Sequence, residues 1–363
     1  MSHTIPTTLL PIHEGPKVII YHQTHHLPHG GLPVSLLPLI TNSTGVTHVI
    51  VAAIHLNEDP QKITLNDHPS DHQRFGTLWA EVSWLQASGI KVLGMLGGAA
   101  KGSYARLDGS DTVRFESYFK PLYDLIRRHK FDGLDLDVEE EMSLTGVVRL
   151  IDRLRADFGP DFLLTLAPVA TALLPDQSHL SGFNYGELER MRGHEIAWYN
   201  TQFYCGWGDA SSTAWYDAII SSGWKASKVI MGLITNHRNG AGHVAATQMD
   251  TVLRTLRSRY PDFGGVMGWE YFNALPGGRD RPWEWVLNIS RTIRSALPPP
   301  IQLPPQQQPI RPFGQTLPAP PHPFPAENVR TLQDLGFNQQ QAIAALNMTN
   351  GNVDLAAGLL FDD

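Results

Sequence analysis

The chain has 363 residues, a formal net charge of −7, and a composition that is 42% hydrophobic and 17% charged. That length holds one large domain with a small one, or two to three ordinary domains, and the mildly acidic balance leaves no basic footprint for nucleic acid or an anionic membrane. A single cysteine, Cys205, excludes an intramolecular disulfide. The opening stretch MSHTIPTTLLPIHEGPK lacks a basic segment followed by an apolar one, and no apolar run approaches the roughly 18 residues of a membrane span, so a cytoplasmic protein is expected.

In chain order the first apolar run is KVIIYHQT (17–24), followed by HVIVAAIHL (48–56) and KVLGMLGG (91–98). Each is short and apolar, and the first two are rich in β-branched residues, as strands are. FESYFKPLYDLIRRHK (115–130) then shows apolar residues at three- and four-residue spacing, which predicts an amphipathic helix. Strand GLDLDVE (133–139), helix GVVRLIDRLRADF (146–158) and strands LLTLAPV (163–169), WYNTQFY (198–204) and VIMGLIT (229–235) come next. Helix TQMDTVLRTLRSRY (247–260), strand GVMGWEY (265–271) and helix PWEWVLNISRTIRSAL (282–297) complete the series. Eight strands alternating with helices predict an α/β fold, a (β/α)8 TIM barrel over residues 1–296. An open doubly wound sheet is the alternative, but no glycine-rich phosphate turn follows the first strand.

Six of the eleven residues in FDGLDLDVEEE (131–141) are acidic. Side chains two apart share a face of a strand, so Asp135, Asp137 and Glu139 form a row facing the barrel interior, with Leu134, Leu136 and Val138 toward the helices. The row climbs to the C-terminal end of the strand, where barrel active sites are built. Stacked carboxylates repel, so at least one keeps a proton near neutral pH, as a general acid requires. Spacing alone leaves three readings open: catalysis, a hard-metal site, or a structural ion cluster. Cys205 points away from Tyr204 by strand parity, and a buried, inert thiol is expected. His22, His25, His26 and His29 end or follow the first strand without a metal-ligand spacing, so a polar loop at the barrel mouth is expected.

The pattern D-G-x-D-x-D-x-E, here Asp132, Gly133, Asp135, Asp137 and Glu139, resembles the signature of glycoside hydrolase family 18. That family comprises chitinases and endo-β-N-acetylglucosaminidases on a (β/α)8 barrel. Leu96-Gly97-Gly98 resembles part of its third-strand motif, Ala167-Pro168 the end of the fifth strand, Gln202-Phe203-Tyr204 the sixth, and Gly264 to Trp269 the eighth. Met95 stands where the third-strand motif usually begins with serine. Glu140 after the acid and the short loop after the seventh strand are more similar to the fungal endo-β-N-acetylglucosaminidase branch.

The resemblance implies a retaining, substrate-assisted hydrolysis of the β-1,4 bond between two N-acetylglucosamines, without metal or other cofactor. Glu139 would be the acid, Asp137 would orient the substrate acetamide, Asp135 would sit beneath and share a proton with Asp137, and Tyr204 would donate to the acetamide oxygen. Gln202, Trp269, Tyr21 and Gly98 would line the substrate site. The substrate implied is the chitobiose core of an N-glycan, with chitin or chito-oligosaccharide as the alternative. A catalytically silent carbohydrate-binding adaptor is a further alternative, disfavoured by the intact acid row.

Residues 297–326 hold twelve of the 27 prolines and read as a Pro/Gln-rich extended linker. Residues 327–363 fit three short helices, ending near Gly336, spanning Asn338 to Met348, and running from Asn352 to about Phe361. This segment resembles a ubiquitin-associated (UBA) domain, with Leu335-Gly336-Phe337 as its loop and Leu359-Leu360 in the third helix. The implied partner is ubiquitin, or ubiquitylated glycoproteins, with Leu335, Gly336, Phe337, Leu359 and Leu360 as the contact residues.

Overall fold

Eight parallel strands form the centre of the molecule: β1 Lys17–His22, β2 His48–His55, β3 Lys91–Gly97, β4 Gly133–Asp137, β5 Leu163–Leu166, β6 Trp198–Gln202, β7 Val229–Ile234 and β8 Gly265–Trp269. Each pairs with the next, and β8 pairs with β1, so the sheet closes on itself. This is the (β/α)8 barrel expected from the alternation of strands and helices. The computed structural model describes residues 15–28, 30–295, 325–335, 339–349, 351–353 and 356–357.

Among the described residues, one helix follows each strand, with a further single helical turn at Ser103–Leu107: α1 Pro38–Thr41, α2 Gly76–Ala87, α3 Thr112–His129, α4 Leu144–Phe158, α5 Tyr185–Arg192, α6 Ala214–Ser221, α7 Ala246–Arg259 and α8 Trp283–Arg294. Side chains cap three of them: Asp111, Ser143 and Asn184 accept N–H bonds at the starts of α3, α4 and α5. The four helices expected from periodicity are α3, α4, α7 and α8. α2 escapes that test because its pattern is inverted in places. Glu81 points inward and accepts from Ser35 Oγ at 2.8 Å and Leu36 N at 2.6 Å, while Trp84 faces solvent.

Two apolar regions result. The larger lies between strands and helices and includes Leu134, Leu136 and Val138. The smaller fills the barrel with Ile19, Tyr21, Ile50, Leu93, Met95, Trp198, Ile230 and Met267. β4 therefore has the predicted parity, with its leucines outside and its aspartates within. Among the described residues, no helix is long and apolar enough to cross a membrane.

The chain divides into two units, Met1–Leu297 and Pro298–Asp363. In the second, Ala326–Asp334 and Gln339–Met348 are helical, and Val329, Leu332, Ala342, Ala345, Leu346 and Ala356 form its buried core. Leu335 is 46% exposed. Gly336, Phe337, Leu359 and Leu360, named above as ubiquitin contacts, lie outside the described residues, as does most of the linker.

Candidate active site

The acid row begins below the mouth of the barrel. Asp135 is fully buried and takes three donors. Tyr21 donates its hydroxyl to Oδ2 at 2.6 Å, and Oδ1 accepts from Thr165 Oγ1 at 2.5 Å and Asn200 Nδ2 at 2.9 Å. Burial raises its pKa above the usual carboxylate range, and these hydrogen bonds offset only part of that rise. Asp137, one step up, is also buried. Burial first, then the charges of Glu139 and Asp135, push it well above the usual carboxylate range. Glu139 is half-buried at the top of the row, and burial raises its pKa as well. The two upper carboxyls share one donor, since Gln202 Nε2 lies 3.2 Å from Asp137 Oδ1 and 3.2 Å from Glu139 Oε1. The same nitrogen donates to Ala167 O at 2.9 Å, which anchors it to the end of β5.

Backbone from β3 closes the row on one side. Gly98 N donates to Asp137 O at 2.9 Å. At Gly97, with φ +91°, an added Cβ would lie 2.4 Å from the Tyr104 ring and 2.5 Å from Asp137 O, so only glycine fits. Tyr204 is buried two residues past β6, within electrostatic reach of all three acids. Trp269, the last residue of β8, is half-buried with its ring 5.4 Å from that of Tyr21. The candidates Tyr21, Gly98, Asp135, Asp137, Glu139, Gln202, Tyr204 and Trp269 thus converge on the C-terminal end of the barrel.

The remaining acids of the stretch do other work. Asp132 accepts from Val92 N at 2.8 Å and from Lys91 Nζ at 3.1 Å, joining β3 to the start of β4. Glu140 accepts from Gly102 N and Tyr104 N, both at 2.8 Å, and so caps the helical turn Ser103–Leu107 beside the site. Glu141 is exposed.

Two expectations need correction. Cys205 is exposed, not buried. β6 ends at Gln202, and Cys205 adopts a left-handed backbone with φ 54°, so strand parity no longer governs it. Partial desolvation of the sulfur, helped by the charge of Glu139, raises the thiol pKa, the opposite of an activated thiolate. The histidines are not simply a polar loop. His22, the last residue of β1, and His25, in the loop just after it, are both buried, and burial drives His22 well below its usual range and His25 down to about 4. His29 lies outside the described residues.

Sequence reasoning passed over Thr165, Asn200 and Trp198. Parity carried the signal for two of them: Trp198, Asn200 and Gln202 alternate along β6 and all turn inward. Trp198 Nε1 donates to Asn200 Oδ1 at 3.0 Å. Among the described residues, no group of three or more His, Cys, Asp or Glu is arranged to hold a metal.

The family model for glycosyl hydrolases family 18 matches residues 17–273. A chitinase, ChiC, from Aspergillus fumigatus is 56% identical, with a TM-score of 0.70 over 76% of this chain and 98% of that one. A fungal endo-β-N-acetylglucosaminidase of the family is 47% identical, with a TM-score of 0.74 over 77% of this chain and 98% of that one. Chitinase 2 of Rhizopus oligosporus is 27% identical over 217 residues, 55% of this chain and 37% of that protein. The chain spans 37% to 49% of the length of the curated chitinases it matches. A separate short match, 50% identical over 48 residues, 13% of this chain and 11% of the relative, is to DNA damage-inducible protein 1 of Kluyveromyces lactis. With the acid row at the barrel mouth and the family model spanning the barrel, the chain belongs to glycosyl hydrolases family 18.

Proposed function

We propose that the protein is a retaining endo-β-N-acetylglucosaminidase that cuts the β-1,4 bond of the N-glycan chitobiose core. The observation that carries the chemistry is the graded row itself. Asp135 is saturated with donors, Asp137 is pushed well up, and Glu139 is the member nearest solvent. In this reading Glu139 gives its proton to the glycosidic oxygen as the C1–O bond breaks. The substrate's own acetamide oxygen bonds to C1 and forms an oxazolinium ion. Asp137 accepts the acetamide N–H and offsets the positive charge. Tyr204 donates to the acetamide oxygen, Trp269 and Tyr21 support the sugar, and Gly98 leaves room beside Asp137. Water then adds at C1 as the C1–O bond of the oxazolinium ring breaks and the acetamide is restored, and the water gives its proton to Glu139, with net retention. Gln202, already bonded to both acids, holds them in register in addition to contacting the acetamide.

Domains follow the same reading: a catalytic barrel over 1–296, a linker over 297–326 and a UBA-like module over 327–363. The exposed Leu335 and the short match to DNA damage-inducible protein 1 support a ubiquitin contact through Leu335, Gly336, Phe337, Leu359 and Leu360. A cytoplasmic glycosidase joined to a ubiquitin reader suits ubiquitylated glycoproteins as clients. A second reading, chitinase, is favoured by the 56% identity to ChiC.

The test compares a high-mannose glycoprotein with a chitin oligomer under the same conditions, with Glu139→Gln as control. Glycan release that leaves one N-acetylglucosamine on the protein, lost in the variant, supports the first reading. Cleavage of the oligomer alone supports the second. Titration of the full chain with ubiquitin, compared with Leu335→Glu, tests the tail, and equal weak binding by both removes the ubiquitin proposal.

A further inference from the structure

Asp135 pairs in register with Met95 on β3 and Thr165 on β5. The β3 neighbour offers only a thioether. A fully buried carboxylate needs donors from elsewhere. Thr165 and Asn200, both fully buried, supply them on Oδ1, and Tyr21 supplies one on Oδ2. The Asn200 amide is not free to turn over. Its oxygen accepts the Trp198 indole N–H, so its nitrogen must face the carboxylate. Trp198 is held in turn by the His48 ring at 4.8 Å and the Lys17 ammonium at 5.0 Å.

We propose that Thr165 and Asn200 are positioning residues of the reaction: with Tyr21 they fix Asp135 as the immobile, charged base of the row, and the mobile protons are carried by Asp137 and Glu139. Hydrogen bonds from three donors favour the ionised carboxyl over the neutral one. The Asn200 nitrogen has no lone pair to offer a proton on Asp135. A fixed charge beneath Asp137 then keeps a proton on Asp137 until substrate arrives, and it is in place when positive charge develops above it.

The other titratable groups near Asp135 do not compete. They are Asp137 on its own strand, Glu139 just past that strand, Tyr21 on β1, Tyr204 past β6, Tyr104 beyond β3 and Tyr185 on α5. Burial raises all four tyrosines above their ordinary range. His48 and Lys17 pack on Trp198, one layer below Asn200.

The experiment uses the full chain with Thr165→Val, which removes one O–H at nearly constant volume, Thr165→Ser, which restores it, and Asn200→Leu. Asp135 is followed by carbon NMR of ¹³C-carboxyl-labelled aspartate, with Asp135→Asn to assign its signal, and kcat/KM is measured against pH. Losing a donor to the ionised form raises the carboxyl pKa. The expected result is an upward move of about one unit in both the Asp135 midpoint and the acid limb of kcat/KM in Thr165→Val, undone in Thr165→Ser. Asn200→Leu moves both in the same direction. An Asp135 midpoint unmoved in a folded Thr165→Val or Asn200→Leu, or an activity loss equal at every pH, overturns the proposal. The kinetic arm rests on the glycosidase reading above, whereas the carboxyl titration does not. If no N-acetylglucosamine substrate is cut, that reading fails and the NMR midpoint still decides what the two donors do.

Discussion

Tyr21 and His22 are neighbours on β1, yet they belong to opposite kinds of cluster. Tyr21 faces into the barrel and donates to Asp135, at the foot of a row of acids that opens to solvent at Glu139. His22 faces the wall, where its ring meets His25 at 4.9 Å and Tyr271 at 5.9 Å. Both clusters are buried and ionisable. Asp135 is surrounded by donors that support a charge on it, while Asp137 and Glu139 above it share one side-chain donor and are held toward the neutral form by burial. The histidines sit among aromatic rings and each other, so burial keeps them neutral. Ionisable residues gathered at one end of a barrel are therefore not evidence of chemistry until their hydrogen-bond partners are counted.

The sharpest way to break this contrast is at Glu139. Glu139→Gln keeps the size and the contact with Gln202 but removes the transferable proton. A drop in kcat of about 10³-fold is expected, within the usual range for losing a general acid. That corresponds to about 4 kcal/mol of barrier. Measured turnover within tenfold of the parent would mean that the row is not the acid.

The wall cluster answers to pH instead. His25 has a folded pKa of about 4, below its unfolded value of 6.5. The unfolded chain therefore binds the proton first as pH falls. Stability is fully present above 6.5 and is lost progressively down to about 4, by about 3 kcal/mol for this residue. Urea midpoints between pH 7 and 4 should fall with acid, and His25→Asn should flatten that fall. A parallel slope in the variant would locate the titration elsewhere.

Much of this was legible in the sequence, for a physical reason. Strand parity is strict, so alternating acids and leucines at 133–139 fixed which face carried the row, and the spacing of apolar runs fixed the eight strands. What parity could not supply was the partner across the barrel. Thr165 and Asn200 meet at Asp135 only through the closed sheet, and a lone threonine or asparagine in a strand has no sequence signal of its own. Parity also stops at the strand end, which is why Cys205 was misjudged. α2 was missed because Glu81 and Trp84 occupy each other's expected faces. Glu140, taken from sequence only as a mark of the fungal branch, turned out to support a loop.

The acid row should respond to pH in the opposite sense to the histidines. Asp137 has a folded pKa well above its unfolded value. Its contribution to stability is fully present below the unfolded pKa and is lost as pH rises through the folded one. Asp137→Asn should thus gain stability at neutral pH, by about 1–2 kcal/mol, with no gain in strong acid. The same change should lower kcat by about 10²-fold, because the carboxyl that accepts the acetamide N–H and offsets the developing positive charge is gone. Thermal unfolding at two pH values, beside turnover, checks both. A variant less stable at neutral pH would show that the carboxylate is structural.

The smallest effect separates two adjacent glutamates. Glu140 differs from Glu139 by one position, and so by face. Its two oxygens accept from Gly102 N and Tyr104 N, while Glu139 faces the substrate side. In Glu140→Gln one oxygen still accepts, but the amide nitrogen opposes an N–H donor. A loss of about 1–2 kcal/mol is expected, since hydrogen bonds to a charged acceptor are stronger than to a neutral one. kcat should stay within a few-fold of the parent, because the reacting row keeps every contact. The chemical denaturation midpoint and kcat measured on the same preparation decide it. A drop in kcat comparable to that of Glu139→Gln would mean that the capped turn Ser103–Leu107 carries part of the substrate site, because Tyr104 is packed against Gly97 at the edge of the row.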